Sequence, residues 1–244
     1  MIRRAAGWLV LAVTLLPVTA AAGEAGADIR AQLSPRRYTT LSSELGARIE
    51  KISAKDGERF KNGQVLVALD CSVQRANMEK ARAQLSAAEK TSAVNRRLVD
   101  MNAGGGLEAD VAAAEAQKAR AEVNAGAALV AKCVVNAPFA GRVADLKVHE
   151  QQFVQPGAPM MEILDDSVLE VEFLAPSKWL SWLKPGGGFQ VAVDETGRSY
   201  PAKVARLGAR VDPVSQSIKV TGEITGGFPE LLAGMSGKVI MAPP

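Results

Sequence analysis

The sequence predicts a mostly β protein interrupted by an α-helical coiled-coil hairpin. Three observations carry this reading. Residues 71–133 contain no proline, are rich in Ala, Glu, Lys, Arg and Gln, and are broken at Gly104-Gly105-Gly106. Those residue types are the strongest helix formers, and glycine is the strongest break short of proline. Short alternating apolar runs bounded by turn residues flank this stretch on both sides, the pattern of strands. The two flanks also match one another at a shift of 94 residues.

In chain order, residues 1–22 come first. Arg3 and Arg4 precede an apolar run of roughly 14 residues that ends at Ala20-Ala21-Ala22, the pattern of a secretory signal peptide. The run is short of the ~20 residues a membrane span needs, and retention as an anchor is the alternative. Residues 23–43 follow as a polar stretch to Ala27, then strand, a turn at Ser34-Pro35, and strand. In residues 44–70, Ile49 and Ile52 precede a turn at Asp56-Gly57. A second turn at Asn62-Gly63 leads into alternating Val65, Val67 and Leu69.

Residues 71–133 read as two helices of about 25–30 residues, roughly 40 Å long. On the first arm Cys71, Gln74, Met78, Ala81, Leu85, Ala88, Ser92, Asn95 and Val99 alternate three and four apart. On the second, Ala109, Ala112, Ala116, Ala119, Val123, Gly126, Val130 and Cys133 do the same. This is coiled-coil a/d spacing with small residues. Charges on the outer faces suit a projecting hairpin; a helical pair buried in a globular core is the alternative. Cys71 and Cys133 are the only cysteines. Each lies at the base of an arm and on a facing seam, and an antiparallel hairpin brings them level, which predicts a disulfide. Two buried free thiols are the alternative.

Residues 134–164 repeat the first flank. Ile49 aligns with Val143, Ile52 with Leu146, Phe60 with Val154, Gly63 with Gly157, Val67 with Met161 and Leu69 with Ile163. Each half is too small to bury its apolar face alone, so the halves are expected to pair into one sandwich with the hairpin inserted between them. In residues 165–244, Leu169, Val171 and Phe173 alternate with glutamates. Residues 176–184 read as a short amphipathic helix opened by Pro176, with Ser177 as cap and Trp179, Leu180 and Leu183 on one face. The tryptophans read as core rather than as a ligand platform. Strands at Phe189–Val193, Tyr200–Leu207, Ile218–Ile224 and Lys238–Met241 complete a small barrel.

The net charge is +3, and removing Arg3 and Arg4 leaves +1. With few aromatics, this offers no nucleic-acid footprint. One histidine, His149, and two distant cysteines give no metal-ligand spacing. No nucleophile–base pair stands out, so neither catalysis nor a cofactor is expected.

GARIEKISAKDGERFKNGQVLVALD (46–70), APFAGRVADLKVHEQQFVQPGAPMMEI (137–163), VDPVSQSIKV (211–220) and AGMSGKV (233–239) together resemble the periplasmic adaptor, or membrane fusion protein, family (HlyD-like) of bacterial efflux and secretion systems. The resemblance implies that 44–70 and 134–164 form a split lipoyl-like (barrel-sandwich) domain. It implies that 165–244, with a strand from 23–43, forms a β-barrel domain. It further implies a periplasmic protein held at the inner membrane through a transporter, proton-driven or ATP-driven, and assembled into a homo-oligomeric ring. The hairpin would reach toward a TolC-like outer-membrane channel.

The family's tip pattern is Arg, Leu four on and Ser eleven on. Arg97 fits, Met101 approximates the second position, and Glu108 replaces the third. The expected tip is therefore Arg97, Met101, Gly104, Gly105, Gly106, Leu107 and Glu108. The membrane-proximal domain that many members add after the barrel is expected to be absent. Lipoyl-type carriers bear a modified lysine on a turn; here Leu69-Asp70 runs straight into Cys71. A metal- or small-molecule-binding module that delivers cargo to a pump is the alternative function. Its metal form rests on seven methionines, although Met160 and Met161 fall in a strand where neighbours face opposite sides.

Overall fold

The computed structural model describes residues 29–241, so the expected signal peptide, residues 1–22, lies outside the described residues. In order, the elements are β1 (Ile29–Ser42), β2 (Ala47–Ile52), β3 (Arg59–Phe60), β4 (Val65–Leu69), α1 (Ser72–Asp100), α2 (Gly106–Ala131), β5 (Val134–Asn136) and β6 (Gly141–Leu146). There follow β7 (Phe153–Val154), β8 (Pro159–Pro176), β9 (Gly188–Val193), β10 (Arg198–Asp212), β11 (Ser217–Ile224) and β12 (Ser236–Ile240). The protein is mostly β, with two long helices.

Two long antiparallel strands, β1 and β8, run through the whole β structure. They pair from Ala31↔Phe173 to Ser42↔Pro159. The expected turn at Ser34-Pro35 does not form. β1 is continuous and bulges between Pro35 and Arg37. Proline has no N–H to give to a ladder, and a bulge is where a strand can carry one.

At one end, pairing in the order β1-β12-β9-β10-β11-β8, together with β1–β8, closes six strands on themselves. Leu33, Val171, Phe173, Val191 and Val220 lie in their core. At the other end, the two sequence halves exchange strands: β2 pairs with β7, β3 with β6, and β4 with β5. One core draws on both halves, with Ile49, Phe60, Leu66 and Leu69 against Val143, Val154, Met160 and Ile163. Met160 and Met161 are both fully buried, so the two faces to which neighbouring strand residues point are both covered there. β8 crosses residues 164 and 165 without a break, pairing with β1 throughout, with β6 before and with β11 after.

Residues 176–184 are not an α-helix. A 3₁₀ turn spans Ser177–Ser181, Pro176 precedes it, and Ser177 makes no side-chain cap. Proline at one end and Pro185-Gly186-Gly187 at the other leave too few residues to repay helix nucleation. Leu183 is buried and Trp179 and Trp182 pack on the core, but Leu180 points outward. The indole centroids are 5.0 Å apart.

Candidate functional site

The helical pair and its anchorage are the most distinctive feature. α1 has 29 residues and α2 has 26, so each is about 40 Å long. The predicted seams are the less exposed positions on both helices. Ala81, Ala109, Ala112 and Ala119 are buried, and the other seam residues within the helices are half-buried. Small residues allow close approach: a Cβ on Gly126 would lie 3.3 Å from Met78 Cβ. Arg120 of α2 bonds Glu89 of α1, whereas Arg82–Glu79 and Lys118–Glu115 pair within single helices.

At the base, Cys71 and Cys133 form a disulfide with Cα atoms 6.0 Å apart. Both are buried in the core shared by the two halves. The Leu69 N–H donates to the Cys133 carbonyl at 2.8 Å, and the Asp70 N–H to the Arg48 carbonyl at 2.8 Å. Asp70 also accepts the Ser72 N–H at 3.1 Å, opening α1 as a cap would. Hydrogen bonding by Ser72 holds its carboxyl below the ordinary value. Lys132 Nζ lies 2.8 Å from Glu44. The base is thus tied to the sheets through both arms.

At the tip, the chain reverses before the glycine triplet begins. Asn102, not a glycine, takes the left-handed conformation, at φ 54°. Its N–H donates to the Val99 carbonyl at 2.9 Å, and the Ala103 N–H to the Leu98 carbonyl at 2.8 Å. This pair of bonds is a Schellman motif with asparagine in the place usually held by glycine. Gly104 is sterically needed, since a Cβ there would meet Leu98 Cβ at 2.9 Å. Gly105 precedes α2, and Gly106 is already its first residue, in open space. Arg97, Met101, Leu107 and Glu108 are all exposed beside them. Glu108 sits in the first turn of α2, where the helix dipole favours a carboxylate. Val94 and Val111, 58% and 60% exposed, join this end. Their heptad-off positions are the sequence signal for them.

Where the two cores meet, β8 supplies two neighbouring carboxylates. Asp165, nearly buried, accepts from Arg37 at 2.9 and 2.6 Å, and the Arg37 guanidinium lies 4.7 Å from the Phe139 ring centroid. Asp166 accepts from Arg59 at 3.1 and 2.8 Å and lies 3.4 Å from Arg142 Nε. These ties join β1, β3 and β6 to β8. A groove of about 750 Å³ opens among Ile29, Ala31, Phe173, Leu174, Pro176 and Lys219. Among the described residues, no group of three or more His, Cys, Asp or Glu is placed to hold a metal ion. No helix among them is long and apolar enough to cross a membrane.

No family model matches the chain. It is 28% identical over 213 residues to an uncharacterized protein of Haemophilus influenzae, covering 86% of this chain and 56% of that protein. The chain spans about half the length of the curated relatives it matches. Its structure is similar to a MacA–MexA chimeric protein that contains the Pseudomonas aeruginosa MexA α-hairpin domain (TM-score 0.77, 18% identity, 86% of this chain and 78% of that one). It is also similar to the membrane fusion protein Spr0693 of Streptococcus pneumoniae R6 (TM-score 0.73, 14% identity, 88% and 98%). The fold is that of the membrane fusion, or periplasmic adaptor, proteins, the family that the sequence resembles.

Proposed function

We propose that this chain is a non-enzymatic periplasmic adaptor of a bacterial efflux or secretion complex. In this reading it assembles head-to-tail into a ring and bridges an inner-membrane transporter to an outer-membrane channel. A heterologous contact of this kind closes into a ring when its rotation divides a full turn. The observation that carries the proposal is the pair of long helices, braced at its base by Cys71–Cys133 and ending in an exposed tip, on a body with the adaptor fold. We read the helices as a coiled-coil hairpin, residues 44–70 and 134–164 as a split lipoyl-like domain, and 165–244 with β1 as a β-barrel domain. Residues 1–22 serve as the export signal. Arg97, Met101, Gly104, Gly105, Gly106, Leu107 and Glu108 are the candidate contacts to a TolC-like channel.

Crosslinking in the native envelope tests the ring, with export of cargo as the second readout. Charge reversals on the outer face of the six-stranded body are expected to abolish the multimer ladder. Arg97→Glu or Leu107→Asp is expected to keep the ladder and lose export. A protein that stays monomeric when crosslinked in place refutes the ring. The groove beside Phe173 and Leu174 favours a second reading, small-molecule delivery to a pump, because its volume lies in the range of drug-sized ligand sites.

A further inference from the structure

The six-stranded body has a free end, remote from the helices. β8 leaves the helix-bearing core after Leu164 and reaches this end at Pro176. Two turns lie side by side there, because the Ser177 N–H donates to the Gln216 carbonyl at 2.8 Å. One is the 3₁₀ turn Ser177–Ser181 with Trp179, Leu180 and, just after it, Trp182. The other joins β10 to β11 and carries Pro213 and Val214. Val214 is 92% exposed and Leu180 is 40% exposed. The Val214 turn is stiff: Asp212 Oδ1 accepts from the Val214 N–H at 3.0 Å, the Ser215 N–H at 2.8 Å and the Ser215 hydroxyl at 3.0 Å. An almost fully exposed valine on a braced turn adds nothing to the core.

The charge at this end is one-sided. Lys178, Lys184 and Arg210 are exposed, and none of them forms an ion pair among the described residues. Glu172, the acidic residue of β8 nearest this end, is engaged by Lys219. Asp212 caps its own turn, and hydrogen bonding by Ser215 holds its carboxyl below the ordinary value. Three free cations therefore stand against one turn-capping carboxylate. Indole rings, a projecting aliphatic side chain and unpaired cations on one rim match the water–lipid boundary, where tryptophan and basic residues are enriched.

We propose that this rim docks on an anionic lipid surface. Val214 and Leu180 enter the headgroup layer, Trp179 and Trp182 sit at its level, and Lys178, Lys184 and Arg210 face lipid phosphates. The contact is peripheral, and it does not depend on ring assembly.

The test uses the full chain carrying Trp8→Phe, so that Trp179 and Trp182, the remaining two of three tryptophans, report alone. Their emission is followed with vesicles of brominated phosphatidylglycerol and, in parallel, brominated phosphatidylcholine. Quenching is expected on the anionic vesicles only, and it is expected to be lost at high salt. Val214→Asp is expected to weaken it. The triple variant Lys178→Glu, Lys184→Glu, Arg210→Glu is expected to weaken binding on the order of a hundredfold or more. Circular dichroism and the absence of free thiols certify the fold of each variant. No quenching, equal quenching on phosphatidylcholine, or quenching that either variant leaves unchanged overturns the proposal. A rim that instead meets a protein gives the first of these results.

Discussion

Gly57 and Gln151, one in each half of the repeat, are structural equivalents. Gly57, at φ 76°, donates its N–H to the Val143 carbonyl; Gln151, at φ 67°, donates its N–H to the Ile49 carbonyl. Val143 returns a bond to the Glu58 carbonyl at 3.0 Å, and Ile49 one to the Gln152 carbonyl at 2.8 Å. Each half therefore clasps a strand of the other. The bounds of β6 and β7 are those of β2 and β3 displaced by the repeat. Neither half completes its hydrogen bonds alone.

This equivalence predicts opposite responses at the two positions. A left-handed residue other than glycine carries a cost of about 1–2 kcal/mol. Gln151→Gly is expected to be neutral or stabilising by up to about 1 kcal/mol. Gly57→Val is expected to destabilise by about 1–2 kcal/mol through backbone strain alone, since its Cβ meets nothing within 4 Å. Urea midpoints at constant m-value measure both.

Because the halves complete each other, the helices are expected to be dispensable for the β fold. Replacing 72–132 by a short glycine-containing linker is expected to leave a cooperatively folded protein, the ends to be joined lying at Cα atoms 6.0 Å apart. Loss of the β circular dichroism signal in the shortened chain would place the helices in a common core instead.

Removing the disulfide is expected to be costly. It closes a loop with a sequence separation of 62, for which chain entropy sets an upper figure of roughly 4 kcal/mol. Cys71→Ala with Cys133→Ala is expected to lower stability toward that figure, read by denaturant unfolding. The wild-type protein is expected to titrate no free thiols under denaturing, non-reducing conditions.

Asp165 predicts a pH dependence. Burial pushes its carboxyl up, but hydrogen bonds from Ser167 and Arg37 outweigh this, and the net direction is downward. A depressed carboxylate stabilises the fold above its unfolded value, near about 3.9, and the contribution is lost as pH falls through the lower folded value. Asp165→Asn is expected to cost about 2 kcal/mol at neutral pH. The difference from wild type is expected to shrink below about pH 4, as the wild-type carboxylate takes up its proton. Acid unfolding of the two proteins in parallel measures this.

What depends on local pattern is readable from residues alone. The seam positions follow from three-and-four spacing, and the structure finds them less exposed along both helices. The repeat is legible because turn glycines and alternating apolar residues report backbone conformation and burial directly. Gly63 and Gly157 do sit at matching φ values of 75° and 83°. Tip residues are locatable for the same reason, although the spacing assigns the reversal to the glycines and the structure gives it to Asn102. Asparagine tolerates that conformation, but nothing in its neighbours demands it.

Other features were decided only by partners distant in sequence. Ser34-Pro35 has turn chemistry, yet β8 lies alongside and draws β1 straight through it with a bulge. Met160 and Met161 fall on opposite faces of a strand, and that both faces are buried is decided by the two halves closing around β8. The pairing of Asp165 and Asp166 with three arginines across β1, β3 and β6 leaves no mark in spacing, since charged residues look alike whether solvated or paired. The sequence by itself determined where the two long helices and most of the strands lie and which of their faces are apolar, because those are properties of a few consecutive residues. Only the tertiary structure decided which strand edges meet, which polar groups are desolvated and which apolar side chains stay outside, because these depend on contacts among residues far apart in the chain.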